Sequence, residues 1–271
     1  MEQTEFARTE NLDRFFNGLK ALNAMDHGAI HNIVSGQMNP SQLERFMTLN
    51  YHRAEINVEL LFTVNNTRQF QAIAMLARSI FELSVEINLM PLIENAGAKI
   101  YIFTEIEKLR SARRILKFKA DHPDSEMQPK SYEAFVKANE KRIEDEQDQL
   151  WPGIEKVRHW SGYPDLAARA QKLGEPFEEM YQVNYPQLSW YVHSGVVGVS
   201  NVTSQLLVDF VGVCYIIAFH SYRRILDAVA EQFKLHKADP TLKAKMLYAQ
   251  HVAFTDNEQQ AERLRKACMD K

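Results

Sequence analysis

Glycine and proline are scarce in this chain, which has 10 Gly and 9 Pro among 271 residues. A fold built only from β-strands needs a turn about every 8–12 residues, and these two residue types supply most turns. The scarcity therefore excludes an all-β fold and favours long helices.

Cysteine is almost absent, with one residue in an apolar run, Cys214, and one in the polar tail, Cys268. Two cysteines so far apart predict neither a disulfide framework nor a metal site. We therefore predict a protein of the reducing cytoplasm that has no metal and no cofactor.

The chain also lacks a charge excess and a long hydrophobic run. Its 32 basic and 35 acidic residues give a net charge of −3, so no global attraction to nucleic acid or an anionic membrane is expected. The most hydrophobic stretch, Leu206 to Phe219, contains Asp209 and is shorter than the roughly 20 apolar residues of a membrane span. The amino terminus has no signal-peptide pattern. We predict a buried central helix and no membrane partner.

Apolar residues recur at helical spacing along most of the chain. The pattern predicts an all-α fold, a bundle of long antiparallel helices with a charged peripheral helix, in a single domain. Its parts are an N-terminal helix and loop (1–40), a bundle core (41–121 and 155–237), a peripheral charged helix (122–154), and a C-terminal helix and tail (238–271).

Local signals predict where two of the helices begin and end. Ser41, followed three residues later by Glu44, forms a capping-box pattern at the start of a long second helix. The tail predicts one more helix, from Leu242 to Phe254.

The segment from Asp26 to Pro40 is predicted to be a loop, with His27 and His31 four residues apart. Two such histidines can bind a metal ion, but no Asp, Glu or Cys follows at ligand spacing. We therefore favour ordinary loop histidines.

One dense basic run lies at the end of the fourth predicted helix. Its members are Arg110, Arg113, Arg114, Lys117 and Lys119. A solvated helix face is the simplest interpretation. Contact with nucleic acid is the alternative, although no aromatic residues for base stacking are interleaved.

Charged residues interrupt the apolar third helix at Arg78, Glu82 and Glu86. Buried charges need partners. An ion pair between helices is one interpretation, and a site where Arg78 binds an anion or Glu82 orients a histidine is the other. Because Arg before Glu is the less favourable order for a pair four residues apart, we expect partners on other helices, with His193 the first candidate.

A polar stripe recurs every four residues: Tyr181, Tyr185, Ser189 and His193. On one helix these side chains would share a face and end in an imidazole, a group that titrates near neutral pH. The stripe therefore predicts a functional site. Pro186 predicts that the stripe lies on two helical segments meeting at Tyr185 and Pro186.

Three segments resemble the hallmark blocks of a widespread microbial family of helical proteins whose function is unknown: ARSIFELSVEINLM, RHWSGYPDLAARAQKLG and YQVNYPQLSWYVHSG. The family shows an Arg-x-x-x-Glu block and, further along, a Tyr-x-x-x-Tyr-x-x-Leu-Ser-x-x-x-His block. The similarity extends from Asn50 to Asp227. The resemblance implies that the matching site positions are Arg78, Glu82, Tyr181, Tyr185, Ser189 and His193.

Such proteins are also similar to HEPN helical domains, many of which are metal-independent ribonucleases. The HEPN signature is an Arg, four to six intervening residues and a His. The chain has one match, Arg45 to His52, which is no more than chance predicts in a chain of this composition. The resemblance implies ribonuclease activity only if Arg78 and His193 meet in space.

Two functions remain open. In an enzyme that cleaves phosphodiesters, His193 would be the acid or base, Arg78 would stabilise phosphate charge and Glu82 would orient the imidazole. Ser189, Tyr185 and Tyr181 would position the substrate. In a non-catalytic ligand-binding or interaction module, the same groups would satisfy one another in a buried network. The partner would be a small molecule or RNA, and a homo-oligomer is left open because no heptad seam specifies one.

Overall fold

The computed structural model describes residues 10–64, 66–192, 203–237 and 239–255. Over these ranges the chain forms helices joined by short connections and contains no strand, so the predicted all-α fold is confirmed. The α-helices are α1 (Glu10–Ala29), α2 (His31–Ser35), α3 (Gln42–Thr63), α4 (Phe70–Leu89), α5 (Ala96–Asp121), α6 (Lys130–Leu150), α7 (Leu166–Leu173), α8 (Phe177–Glu179), α9 (Tyr185–Val192), α10 (Ser204–Gln232) and α11 (Leu242–Phe254). Short 3₁₀ turns occupy Thr67–Gln69, Met90–Leu92 and Leu235–Lys237, and a π-turn occupies Met180–Asn184.

The chain divides into two compact units, one formed by residues 1–89 and 170–271 and the other by residues 90–169. The prediction of a single domain stays a prediction. In the first unit α10 packs against α4, α1 and α3, while α1 packs along α11. Helix α4 also packs against α3 and α9, and these contacts position the predicted site.

Helix α10 forms the centre of the first unit. It begins after Thr203, whose hydroxyl accepts the backbone N–H of Leu206. Cys214 and Phe219 are fully buried, as expected for the predicted central helix. In the described part of the chain, α10 alone is long and apolar enough to cross a membrane, yet most of its apolar window is buried in the protein, as in a core helix.

The second unit is built on the pairing of α5 with α6. Its buried cluster comprises Ile102, Ile106, Leu109, Ile143, Trp151 and Val157. Helix α5, which the sequence predicts as part of the bundle core, packs in this unit along the charged helix α6. Ile143 is the one buried residue of α6, which agrees with the small number of apolar residues in that helix.

The basic run of α5 is largely occupied by contacts within this unit. Arg113 donates to Glu140 at 3.0 Å and to Glu144 at 2.6 Å. Arg110 pairs with Glu107 and donates to the carbonyl oxygen of Val157 at 2.7 Å. These carboxylates reduce the positive charge that a nucleic acid would meet at this face.

The predicted loop from Asp26 to Pro40 is wrong over most of its length. Helix α1 continues to Ala29, and α2 begins at His31. The N–H of Ile30 donates to the carbonyl oxygen of Asp26 at 2.8 Å, which continues the helical bonding past Gly28. Glycine lowers helix stability by only about 1 kcal/mol, which neighbouring packing readily outweighs.

The predicted start of α3 is confirmed. The Ser41 hydroxyl accepts the backbone N–H of Glu44, and the Glu44 carboxylate accepts the backbone N–H of Ser41 at 2.8 Å. Two of the unpaired N–H groups at the helix start are thereby satisfied. The cap fixes the beginning of the helix that carries Tyr51, His52 and Glu55.

Candidate functional site

Arg78 and Glu82 pair with each other on α4. The Nε of Arg78 donates to Glu82 Oε1 at 2.8 Å, and the two side chains are 25% and 41% exposed. Arg78 and Glu82 therefore pair within one helix, although partners on other helices were expected for them. Both side chains are partly exposed, so forming the ion pair costs little desolvation. The less favourable order, Arg before Glu, therefore does not prevent the pair.

Tyr185 is the partner that another helix supplies. Its hydroxyl donates to the same Glu82 Oε1 at 2.7 Å, and the guanidinium carbon of Arg78 lies 5.0 Å from the centre of its ring. Burial raises the pKa of Tyr185 to about 12, and the adjacent Glu82 carboxylate contributes to the increase. At neutral pH the phenol is therefore a hydrogen-bond donor rather than a proton acceptor.

A change of helix type sets the position of the two tyrosines. The π-turn ends at Asn184 and α9 begins at Tyr185, which confirms the predicted junction. Pro186, which has no backbone N–H to donate, lies at the second residue of α9, directly after this change of helix type. The rings of Tyr181 and Tyr185 stack with centres 5.2 Å apart and planes 23° apart. π-turns within helices occur frequently at functional sites.

The fold thus brings together four of the six predicted site residues: Arg78, Glu82, Tyr181 and Tyr185. Ser189 lies one turn beyond Tyr185 on α9 and is half-buried. His193 lies outside the described residues, so its pairing with Glu82 stays a prediction.

A second polar site, which the sequence analysis missed, surrounds Glu55 on α3. We call it the histidine cluster: His27, His31, His52 and Glu55. Glu55 Oε1 lies 2.6 Å from His31 Nδ1 and 3.8 Å from His27 Nδ1, and Oε2 lies 2.6 Å from His52 Nδ1. The Glu55 side chain is 5% exposed. No acidic residue follows His27 and His31 at ligand spacing, but the fold brings Glu55 to them from α3.

The histidine cluster was missed because its members come from separate helices. Spacing rules search along one segment, whereas Glu55 is 24 residues away from His31. A usable signal is present in two helical pairs, with His27 and His31 four residues apart and His52 and Glu55 three apart. His52 and Glu55 share one face of α3, whereas His27 lies in the last turn of α1 and His31 begins α2, and only packing brings the two pairs together.

A buried hydrogen-bonded chain lies beneath the cluster. Tyr222 donates to Asp26, and the Tyr51 hydroxyl lies 2.7 Å from Asp26 Oδ1 and 3.0 Å from Glu55 Oε1. Burial raises the pKa of Asp26 to about 6. The hydrogen bonds from Tyr222 and Tyr51 lower this pKa, but burial has the larger effect. The Tyr51 hydroxyl is the donor toward both carboxylates, and because one hydroxyl donates one proton, it is shared between Asp26 and Glu55.

Comparison with family models gives one match, over residues 58–206, to a family of unknown function, DUF5677. Neither the curated proteins nor the solved structures contain a significant match. The matched residues include Arg78, Glu82 and Tyr185 but not the histidine cluster. This result supports the resemblance to an uncharacterised family, and the resemblance to HEPN domains stays a hypothesis.

Proposed function

The chain belongs to the DUF5677 family, whose function is unknown, and we propose that it binds phosphate esters at Arg78 and cleaves phosphodiester bonds in single-stranded RNA without a metal ion. The observation that carries the proposal is the arrangement of Arg78, Glu82 and Tyr185. An accessible guanidinium is held there in a fixed orientation by a carboxylate and an aromatic ring.

Arg78 has the chemistry to bind a phosphate group. A guanidinium has five N–H donors, and the Nε bond to Glu82 uses one of them. A planar guanidinium can bind phosphate through two parallel hydrogen bonds. Because Glu82 and the Tyr185 ring already orient the group, little reorganisation is needed as charge develops on the phosphate during reaction.

The stacked tyrosines favour single-stranded RNA as the ligand. Tyr185 lies beside Arg78 and stacks on Tyr181, both rings are half-buried, and tyrosine faces can stack on unpaired bases. In sequence, His193 follows directly after α9. Under the proposal it is the general acid or base, since Tyr185 keeps its proton at neutral pH.

A second function is favoured by the same hydrogen bonds. Glu82 Oε1 accepts from both Arg78 and Tyr185, so these polar groups satisfy one another without a ligand. In this alternative the network only joins α4 to α9, and the chain is a non-catalytic ligand-binding or interaction module.

Binding is tested by fluorescence anisotropy of a labelled single-stranded RNA oligonucleotide in the presence of EDTA. We expect Arg78→Ala to weaken binding by about tenfold, the value of one charged hydrogen bond. Arg78→Lys should restore little of the loss because lysine lacks the planar fork. Arg113→Ala is the matched control and should bind like the wild type. Equal RNA affinity of the wild type and Arg78→Ala would show that RNA is not the ligand of this site.

Catalysis is tested by following cleavage of the same RNA in EDTA. We expect His193→Ala to slow cleavage by about 10²-fold or more, as loss of an acid or base does. Tyr185→Phe removes one donor and should slow cleavage less. If the wild type binds RNA but leaves it intact, the non-catalytic alternative is correct.

A further inference from the structure

Among the described residues, the buried carboxylate of Glu55 has neither a lysine nor an arginine beside it. In the described part of the chain its contacts are His27, His31, His52 and Tyr51, and none is with Lys or Arg. Buried charges in proteins are paired or coordinate metal ions. The positive charge opposite Glu55 must therefore come from protonated imidazoles or from a bound cation.

Protonated imidazoles are a poor solution to this requirement. The ring centres of His27 and His31 lie 5.5 Å apart, and those of His31 and His52 lie 5.2 Å apart. One protonated imidazole balances Glu55, but protonating a second would place like charges at these distances, where they disfavour each other. A single cation on the carboxylate provides the same charge while all three histidines stay neutral, which is the form that binds metals.

We propose that His27, His31 and Glu55 bind one divalent transition-metal ion of the zinc class. One ligand atom from each of the three residues can be chosen so that all lie within 4.8 Å of one another. Around tetrahedral zinc, ligand atoms are about 3.4 Å apart, given bonds of about 2.1 Å. The 3.8 Å between His27 Nδ1 and Glu55 Oε1 is close to this value, and the 2.6 Å at His31 must widen. His31 is 37% exposed, so its ring is free to turn.

Further contacts hold the ligands in the orientation that a metal requires. His27 Nε2 lies 3.3 Å from Glu59 Oε1, so the carboxylate favours a proton on Nε2, which leaves Nδ1 to bind the metal. The second oxygen of Glu55 is held by His52 Nδ1. Metal-binding histidines commonly donate their other N–H to a carboxylate in this way. Glu55 and Glu59 together also balance two positive charges.

The donor set selects the class of ion. Two imidazoles and one carboxylate suit zinc and neighbouring transition metals rather than magnesium or calcium. Three protein ligands leave a coordination position open, as in catalytic zinc sites and unlike closed structural ones. The ligands lie on α1, α2 and α3, outside the residues that match DUF5677, so the inference does not depend on the proposed RNA site.

The test is calorimetric titration of the full chain with Zn²⁺, after removal of metals with EDTA and exchange into chelator-free buffer. We expect one high-affinity zinc ion per chain. His27→Ala and His31→Ala should each weaken binding by at least about tenfold, Glu59→Gln by about 10–100-fold, and the double histidine variant should abolish the site. His122→Ala, which removes an exposed histidine of the second unit, is the matched control and should bind like the wild type.

The variants use the half-exposed histidines because removing the buried Glu55 could unfold the chain. Circular dichroism checks that each variant is folded, and Co²⁺ provides a second measurement through its ligand-dependent visible spectrum. Equal zinc affinity in the wild type and the double variant, or no zinc binding by the wild type, would overturn the proposal. The double variant should bind RNA in EDTA as tightly as the wild type. RNA binding therefore tests the site at Arg78, and zinc binding tests the histidine cluster.

Discussion

At the scale of single residues, Glu82 decides what Arg78 and Tyr185 can do. One oxygen of its carboxylate accepts from both groups. The negative charge fixes the direction of the guanidinium and also opposes ionisation of the phenol. Glu82 thus orients Arg78 and Tyr185, and its predicted contact with His193 stays a prediction.

Glu82→Gln tests this role through the titration of Tyr185. Removal of the carboxylate charge should lower the pKa of Tyr185 from about 12 toward its ordinary value of 10. The measurement is tyrosinate absorbance against pH, from which the titration of Tyr185→Phe is subtracted to isolate one phenol. An unchanged midpoint in Glu82→Gln would show that burial alone shifts Tyr185.

At the scale of elements, the close packing of α1 on α11 depends on Gly18. A Cβ built on Gly18 would lie 2.3 Å from the Cβ and 2.7 Å from the Cα of Ala253, too close for any real contact. The two helices can therefore approach only because residue 18 has no side chain. The same contact sets the position of α1, which carries Asp26 and His27.

Gly18→Ala should lower the free energy of unfolding by about 1–3 kcal/mol, the cost of overpacking, because backbone atoms of Ala253 must move. Gly212→Ala on α10 is the matched control, since the nearest atom to its new Cβ is 4.0 Å away. The control should be neutral or more stable by up to about 1 kcal/mol, because alanine favours helix. Chemical denaturation of both variants gives the comparison. Equal loss of stability in the two variants would contradict the role of the Gly18 contact.

At the scale of the whole molecule, the chain divides into two compact units. The second has its own buried cluster around Ile143, and α5 and α6 are joined by Arg113 and its two glutamates. Both candidate sites lie in the first unit. Local openings of the second unit are therefore expected without loss of either site.

Ile143→Ala should destabilise the second unit by about 2–5 kcal/mol, because it leaves a cavity where a fully buried side chain was. Native-state hydrogen exchange should become faster for amides of α5 and α6 while those of α10 keep their protection. Equal acceleration throughout the chain would show that the two units unfold together, as the predicted single domain requires.

The sequence by itself determined the helices and several of their ends. Scarce glycine and proline excluded an all-β fold, Ser41 and Glu44 fixed the start of α3, and the helix from Leu242 to Phe254 was predicted with its observed bounds. Pro186 likewise placed the junction before α9. These features follow from interactions between residues a few positions apart, which a sequence displays directly.

Only the tertiary structure decided which side chains meet. It placed Tyr185 beside Glu82, and it brought His27 and His31 to Glu55. Such contacts join helices that are far apart in sequence, and their geometry depends on packing that no local pattern encodes. The cytoplasmic location, the oligomeric state and the role of His193 stay predictions.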